Sequence, residues 1–255
     1  MKTSLFCCAA ALAAAVAAHS ALAAPVTISS YDMENGESGC RTFHDDSYGG
    51  PGATGNPAVN GSPLAGGLGE LTDGILGGNY ICNPGANSWV GWINIQPTIT
   101  FALAAPAQVA RLSLWMSNGD SFLSATGVAG SVARWVSTDG LIYTPLGTYL
   151  TTALDRTGDG DRWIDIPFPD VMAQFVRIQL FDGVKVGGSN PGLKPFMFVC
   201  EAVIAETEVP APPALGLFAI SALCLIAVRR KRSGHVTPKS AQIIAHRDRK
   251  ADAFW

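Results

Sequence analysis

From residue 97 onward apolar side chains recur at every second position, and that period constrains the fold more than any other feature of the chain. Segments 98–103, 109–115, 133–137, 162–168 and 174–181 all alternate. In the last of them Val176, Ile178 and Leu180 fall on one face, with Arg177 and Gln179 on the other. A period of two belongs to β-strands, whose successive side chains point to opposite faces. The segments are rich in Val, Ile, Thr and aromatic residues, and turn formers separate them, such as Asn118 with Gly119 and Asp139 with Gly140. Between the two terminal apolar segments no 12-residue stretch combines a helical period with capping signals. The expectation is an all-β fold, an antiparallel jelly-roll sandwich with its core over 86–205. Residues 24–85 read differently, because 14 of the 50 residues in 36–85 are glycine. They are expected to form a loop-dominated lead-in belonging to the same domain.

Both ends carry membrane signals. Lys2, an Ala-rich apolar run over 5–18, and Ala21, Leu22 and Ala23 match a signal peptide over 1–23. Near the other end a Pro-rich segment, 206–213, precedes an apolar run over 214–228 and then Arg229, Arg230, Lys231 and Arg232. Counted from Ala211 the run would be about 27 Å of helix, just enough to span a hydrocarbon core. The basic end orients it, leaving 229–255 as a cytoplasmic tail and everything before Pro210 outside. Charge is divided accordingly. Residues 24–209 hold 8 Lys or Arg against 18 Asp or Glu, whereas the tail from Arg229 holds 8 against 2. An acidic exported body argues against nucleic acid as a partner.

Val209, Pro210, Ala211 and Pro212, the short apolar helix and the basic cluster, in that order, resemble the PEP-CTERM sorting signal of exopolysaccharide-producing Gram-negative bacteria. Ala211 stands where that pattern usually has Glu, and 23 further residues follow Arg232. The resemblance implies an exosortase-type processing protease as partner and a mature form at the cell surface or outside the cell. Without that processing, the helix is a permanent membrane anchor.

The order of landmarks over 71–205 resembles the galactose-binding-like domains of the discoidin, or coagulation-factor type C, class. Leu71, Thr72, Asp73 and Gly74 come first, then Trp89 and Trp92, then the strand from Thr98. Phe175 to Leu180 and a closing segment with Glu201 complete the series. The resemblance implies a structural Ca²⁺ held by Asp73 and Glu201 together with backbone carbonyls, the oxygen shell this hard cation takes. It also implies a glycan partner, exopolysaccharide or another surface glycan.

The residues themselves restrict the chemistry. His44 is the one histidine between the two apolar segments, so the usual zinc spacings and a convincing Ser–His–Asp arrangement are missing. Asp155, Asp159 and Asp161 open like an EF-hand loop, but Ile166 stands where its closing Glu belongs, and a polar turn is the better reading. Cys40, Cys82 and Cys200 remain in the exported part, and two of the three can pair. Cys40 with Cys82 is favoured because both lie in the loop-rich lead-in. Among the aromatics, Trp92 is expected in the core, while Trp89 and Phe122 are the candidates for stacking on a sugar. The chain is therefore expected to be a non-enzymatic surface or matrix protein that binds glycan. The alternatives are a glycan-acting hydrolase with a carboxylate pair and a purely structural matrix protein.

Overall fold

The computed structural model describes residues 24–37, 43–50, 61–77, 88–119 and 125–207. The signal segment, the sorting motif, the apolar run with its basic cluster, and Cys40, Cys82 and Phe122 lie outside them. Among the described residues no helix is long and apolar enough to cross a membrane.

The described body is β-structure. Its strands are β1 (Pro25–Val26), β2 (Ile28–Glu34), β3 (Pro63–Gly67), β4 (Val90–Ile93), β5 (Thr98–Ser117), β6 (Val128–Ser137), β7 (Thr144–Leu150), β8 (Asp161–Lys185), β9 (Gly192–Lys194) and β10 (Phe196–Glu206). A four-residue helix α1 (Ala153–Arg156) and a 3-10 turn at Glu70–Thr72 are the helical pieces. All pairings between these strands are antiparallel.

β5 and β8 run the length of the fold and pair with each other from Thr98↔Gln179 to Ser117↔Asp161. The first half of β5 also takes β2, and its second half takes β10. Phe101 and Leu114 would lie about 43 Å apart on a straight strand, yet both belong to one buried core. Bulges in the pairing bend the ribbon within β5. The bend falls where pairing slips between Ala102 and Ala107, at exposed Ala104, Ala105 and Pro106. Proline suits that position because it has no N–H to lose from the ladder. A second slip follows between Val109 and Arg111, and on the β8 side of it Asp170 adopts φ 47°.

Three strands stand where a loop-dominated lead-in was expected, β1, β2 and β3. In β2, Tyr31 and Met33 are buried between outward polar neighbours. β3 inserts Leu64 into the core. A smaller apolar cluster lies beside the main one, formed by Phe43, Trp89, Phe196, Phe198 and Cys200. Gly91 is required there, because a Cβ would sit 2.1 Å from the Phe198 ring.

Candidate functional site

Two polar constellations stand out, an acidic turn and a groove. The acidic turn follows the 3-10 turn. Asp73 Oδ1 accepts the Ile75 N–H at 2.8 Å, and Glu201 Oε2, from β10, accepts the Gly74 N–H at 2.8 Å. The structure thus brings Asp73 and Glu201 to one turn, 127 residues apart in sequence for the Gly74–Glu201 contact. Burial, opposed in part by the Gly74 N–H, pushes the Glu201 carboxyl up to about 7. As a cation cage the turn is incomplete. One oxygen of each carboxylate is engaged by backbone, and among the described residues no three His, Cys, Asp or Glu side chains are placed to hold one metal ion.

Behind the turn lies a buried acid pair that the sequence did not single out. Asp45, fully buried, accepts the Tyr31 hydroxyl proton, the Glu70 N–H at 3.1 Å and the Ser47 hydroxyl at 3.4 Å. Asn35 Oδ1 in turn fixes the Asp45 N–H at 2.8 Å. Glu70 is 2 % exposed, and neither of its carboxylate oxygens accepts a hydrogen bond. Burial first, then the neighbouring Asp45 charge, pushes its carboxyl up to about 10. Its contact with Asp46 becomes a hydrogen bond only when a proton lies between the two carboxyls. Cys200 is a free buried thiol that donates to the Ile75 carbonyl at 2.9 Å, and burial pushes it up to about 12. A thiol so poised is not a nucleophile.

The groove, of about 370 Å³, is built on the outward face of β2, β5 and β8. Two adjacent rungs of the ladder form its floor, Ser30–Ala102–Phe175 and Asp32–Thr100–Arg177. Each strand contributes residues i and i+2, the spacing that returns side chains to one face. Ala65 and Gly66 of β3 wall one side, and Gly140 with Tyr143 from the β6–β7 turn wall the other. That turn is fixed by Asp139, whose Oδ1 accepts the Leu141 and Ile142 N–H groups at 2.8 and 3.0 Å. Gly140, at φ 73°, leaves room for Phe175, whose ring would lie 3.0 Å from an added Cβ.

The fixed turn places Tyr143 over Arg177, with the guanidinium carbon 3.5 Å from the ring centroid. So short a separation requires the planar group to lie face-on to the ring. Arg177 Nε donates to Thr100 Oγ1 at 3.0 Å, and Asp32 Oδ1 accepts the Gly66 N–H at 2.9 Å. Two aromatic rings, a guanidinium, one carboxylate and the hydroxyls of Ser30, Thr100 and Tyr143 therefore converge on one groove.

The other expected site residues fare as follows. Trp89 requires correction, because it is 0 % exposed. Its ring lies edge-on to Phe198 at 6.5 Å, so it cannot meet a ligand from solvent. Trp92 is fully buried as expected, and its indole N–H donates to the Glu34 carbonyl at 2.7 Å. Cys40, Cys82 and Phe122 are outside the described residues. In the EF-hand-like run Asp155 caps α1 together with Thr152, and Asp159 pairs with Lys185 and Ser189.

No protein-family model and no curated protein matches the chain. Among solved structures, a family-32 carbohydrate-binding module (CBM32-3) from a Clostridium perfringens family 31 glycoside hydrolase is 12% identical over 47% of this chain and 75% of its own, at TM-score 0.35. The C-terminal domain of a Bacteroides fragilis chitobiase is 16% identical over 56% and 83%, at TM-score 0.37. A second C. perfringens module, in complex with GalNAc-β-1,3-galactose, is 14% identical over 47% and 77%, at TM-score 0.33. Overlaps of this size assign no ligand.

Proposed function

We propose that this chain is an exported, non-catalytic glycan-binding protein of the cell surface or matrix, and that the groove on β2, β5 and β8 is its binding site. The observation that carries the reading is the pairing of Tyr143 and Phe175 with the polar groups of Asp32, Thr100 and Arg177. A pyranose offers the complementary pattern, an apolar C–H face ringed by hydroxyls. Hydrolysis by paired carboxylates needs two acids flanking the bond, and among the described residues Asp32 is the one carboxylate lining the groove. The terminal signals support export, and the PEP-CTERM resemblance supports an exosortase-type protease as processing partner.

A Tyr143→Ala change is expected to weaken polysaccharide retention about tenfold, roughly 1.4 kcal/mol, without altering the melting temperature by more than a few degrees. Affinity electrophoresis against a panel of surface polysaccharides measures this. Unchanged retention removes the groove as the site. Turnover of a bound polysaccharide that disappears in Asp32→Asn would instead establish the hydrolase alternative, and the absence of both binding and turnover would leave the purely structural one. Mass spectrometry of the mature chain tests sorting, since processing removes the residues after Pro210.

Calcium at Asp73 and Glu201 belongs to the same proposal. Two carboxylates reach one turn, and carbonyls and water would complete the shell. A cation that binds only the folded state stabilises it by about 2.7 kcal/mol at a hundredfold excess over Kd. Millimolar Ca²⁺ is therefore expected to raise the melting temperature over that in EDTA at pH 7.5, and Glu201→Gln to abolish the rise. Identical melting in Ca²⁺ and EDTA would sink the calcium reading.

A further inference from the structure

The arginines of the described body differ in what their terminal nitrogens do. Arg111 faces Asp165 at 3.8 Å. Arg134 donates to the Pro167 and Leu146 carbonyls, and Arg162 to the Leu154, Thr157 and Asp159 carbonyls. Arg177 uses Nε alone, on Thr100, while its terminal Nη pair, at the groove, meets no acceptor among the described residues. Nor does it share in the ion pairs found there, which join Arg111 to Asp165 and Lys185 to Asp159. Arg134 and Arg162 also lack a carboxylate partner, but backbone carbonyls occupy their terminal nitrogens, so the half-buried Arg177 differs from them in presenting its fork to the groove.

We propose that the groove selects a glycan bearing a carboxylate, a uronic acid or another acidic sugar, with the Arg177 fork as the carboxylate receptor. The inference rests on the groove being the glycan site. Its warrant is pre-organisation. Thr100 and the Tyr143 ring hold the guanidinium in one plane, so a bidentate carboxylate meets two parallel N–H donors with little side-chain freedom left to lose. The other end of the same rung has the opposite polarity. Asp32 lies across Thr100 from Arg177, about 10 Å away between backbones, and accepts hydroxyl protons but repels a second carboxylate. The groove thus fits an acidic sugar beside a neutral one, in a single direction.

The test uses the purified full chain with xanthan and hyaluronan, two polymers that set glucuronate beside neutral sugars, each alongside its carboxyl-reduced form. Retention of at least one acidic polymer is expected to exceed that of its reduced form at least tenfold. Arg177→Gln should erase that preference, and Arg177→Lys should restore part of it without the bidentate share. Melting curves of both variants establish that they fold, and Tyr143→Phe keeps the ring as a second control. Equal retention of the acidic and reduced forms overturns the acidic specificity and leaves the groove reading standing, provided Tyr143→Ala still weakens binding. A preference that persists in a folded Arg177→Gln protein also overturns it. No retention of any form by the native chain overturns both.

Discussion

Glu70→Gln is expected to melt at a higher temperature than the native chain at pH 8 and at nearly the same temperature at pH 5. The Glu70 carboxyl ionises near 4.5 in the unfolded chain and is pushed up to about 10 in the fold, by burial and by Asp45. Between those values the folded state holds a proton that the unfolded state has released. A group whose folded value is raised contributes fully below its unfolded value, and its contribution is lost as pH rises. The cost here is about 1.4 kcal/mol for each pH unit above 4.5. Glu201, pushed up to about 7, adds the same sign of slope between 4.5 and 7. Glutamine imitates the protonated acid without titrating, and its amide can donate to the Asp46 carboxylate. The check is a melting series over pH 5–8 in EDTA, which excludes cation binding. A native chain whose stability rises over that range, or a variant that parallels it, would show that Glu70 ionises freely.

Trp89→Ala carries the second large effect, and it falls on stability rather than on recognition. The indole fills a cluster with Phe43, Phe196, Phe198 and Cys200. Phe198 stacks on Phe196 at 5.6 Å and meets Phe43 edge-on at 4.6 Å. Truncation leaves a cavity that these rings cannot close, and such changes cost about 3–5 kcal/mol, on the order of 10 °C in a domain of this size. Glycan affinity measured well below the melting temperature should be unchanged. Lost binding with an unchanged melting temperature would return Trp89 to the ligand.

The contrast between Trp89 and Tyr143 shows what the sequence could convey. β5, β6 and β8 were legible because alternation is a local property, whereas β10, buried on both faces, carries no such period and was reached by resemblance. β2 was hidden because Ser29, Ser30 and Asp32 dilute its two buried anchors, and β3 offers only Leu64 between Pro63 and three small residues. Trp89 sits in a polar, glycine-rich stretch that suggests exposure, but Phe198, arriving from the last strand, covers it. The groove was illegible for the same reason. Its floor joins residues 30 and 32, 100 and 102, and 175 and 177, pairs that become neighbours only through the strand register. The meeting of Asp73 with Glu201 was reached by resemblance rather than by pattern. The Tyr31–Asp45–Glu70 contacts link three segments that no local signal connects.

β10 is the last strand of the body and also one of its most connected, with β1, β4 and β5 as hydrogen-bonded neighbours. Pro25 pairs with Ala205, so the first residues of the body close against nearly the last. A chain emerging from its N-terminus therefore cannot complete this architecture progressively. Until residue 206 has emerged, the second half of β5 presents an unsatisfied edge and Trp89 lacks its cover. Such a nascent intermediate is sticky, and the order of synthesis makes a guardian during emergence an advantage to this topology.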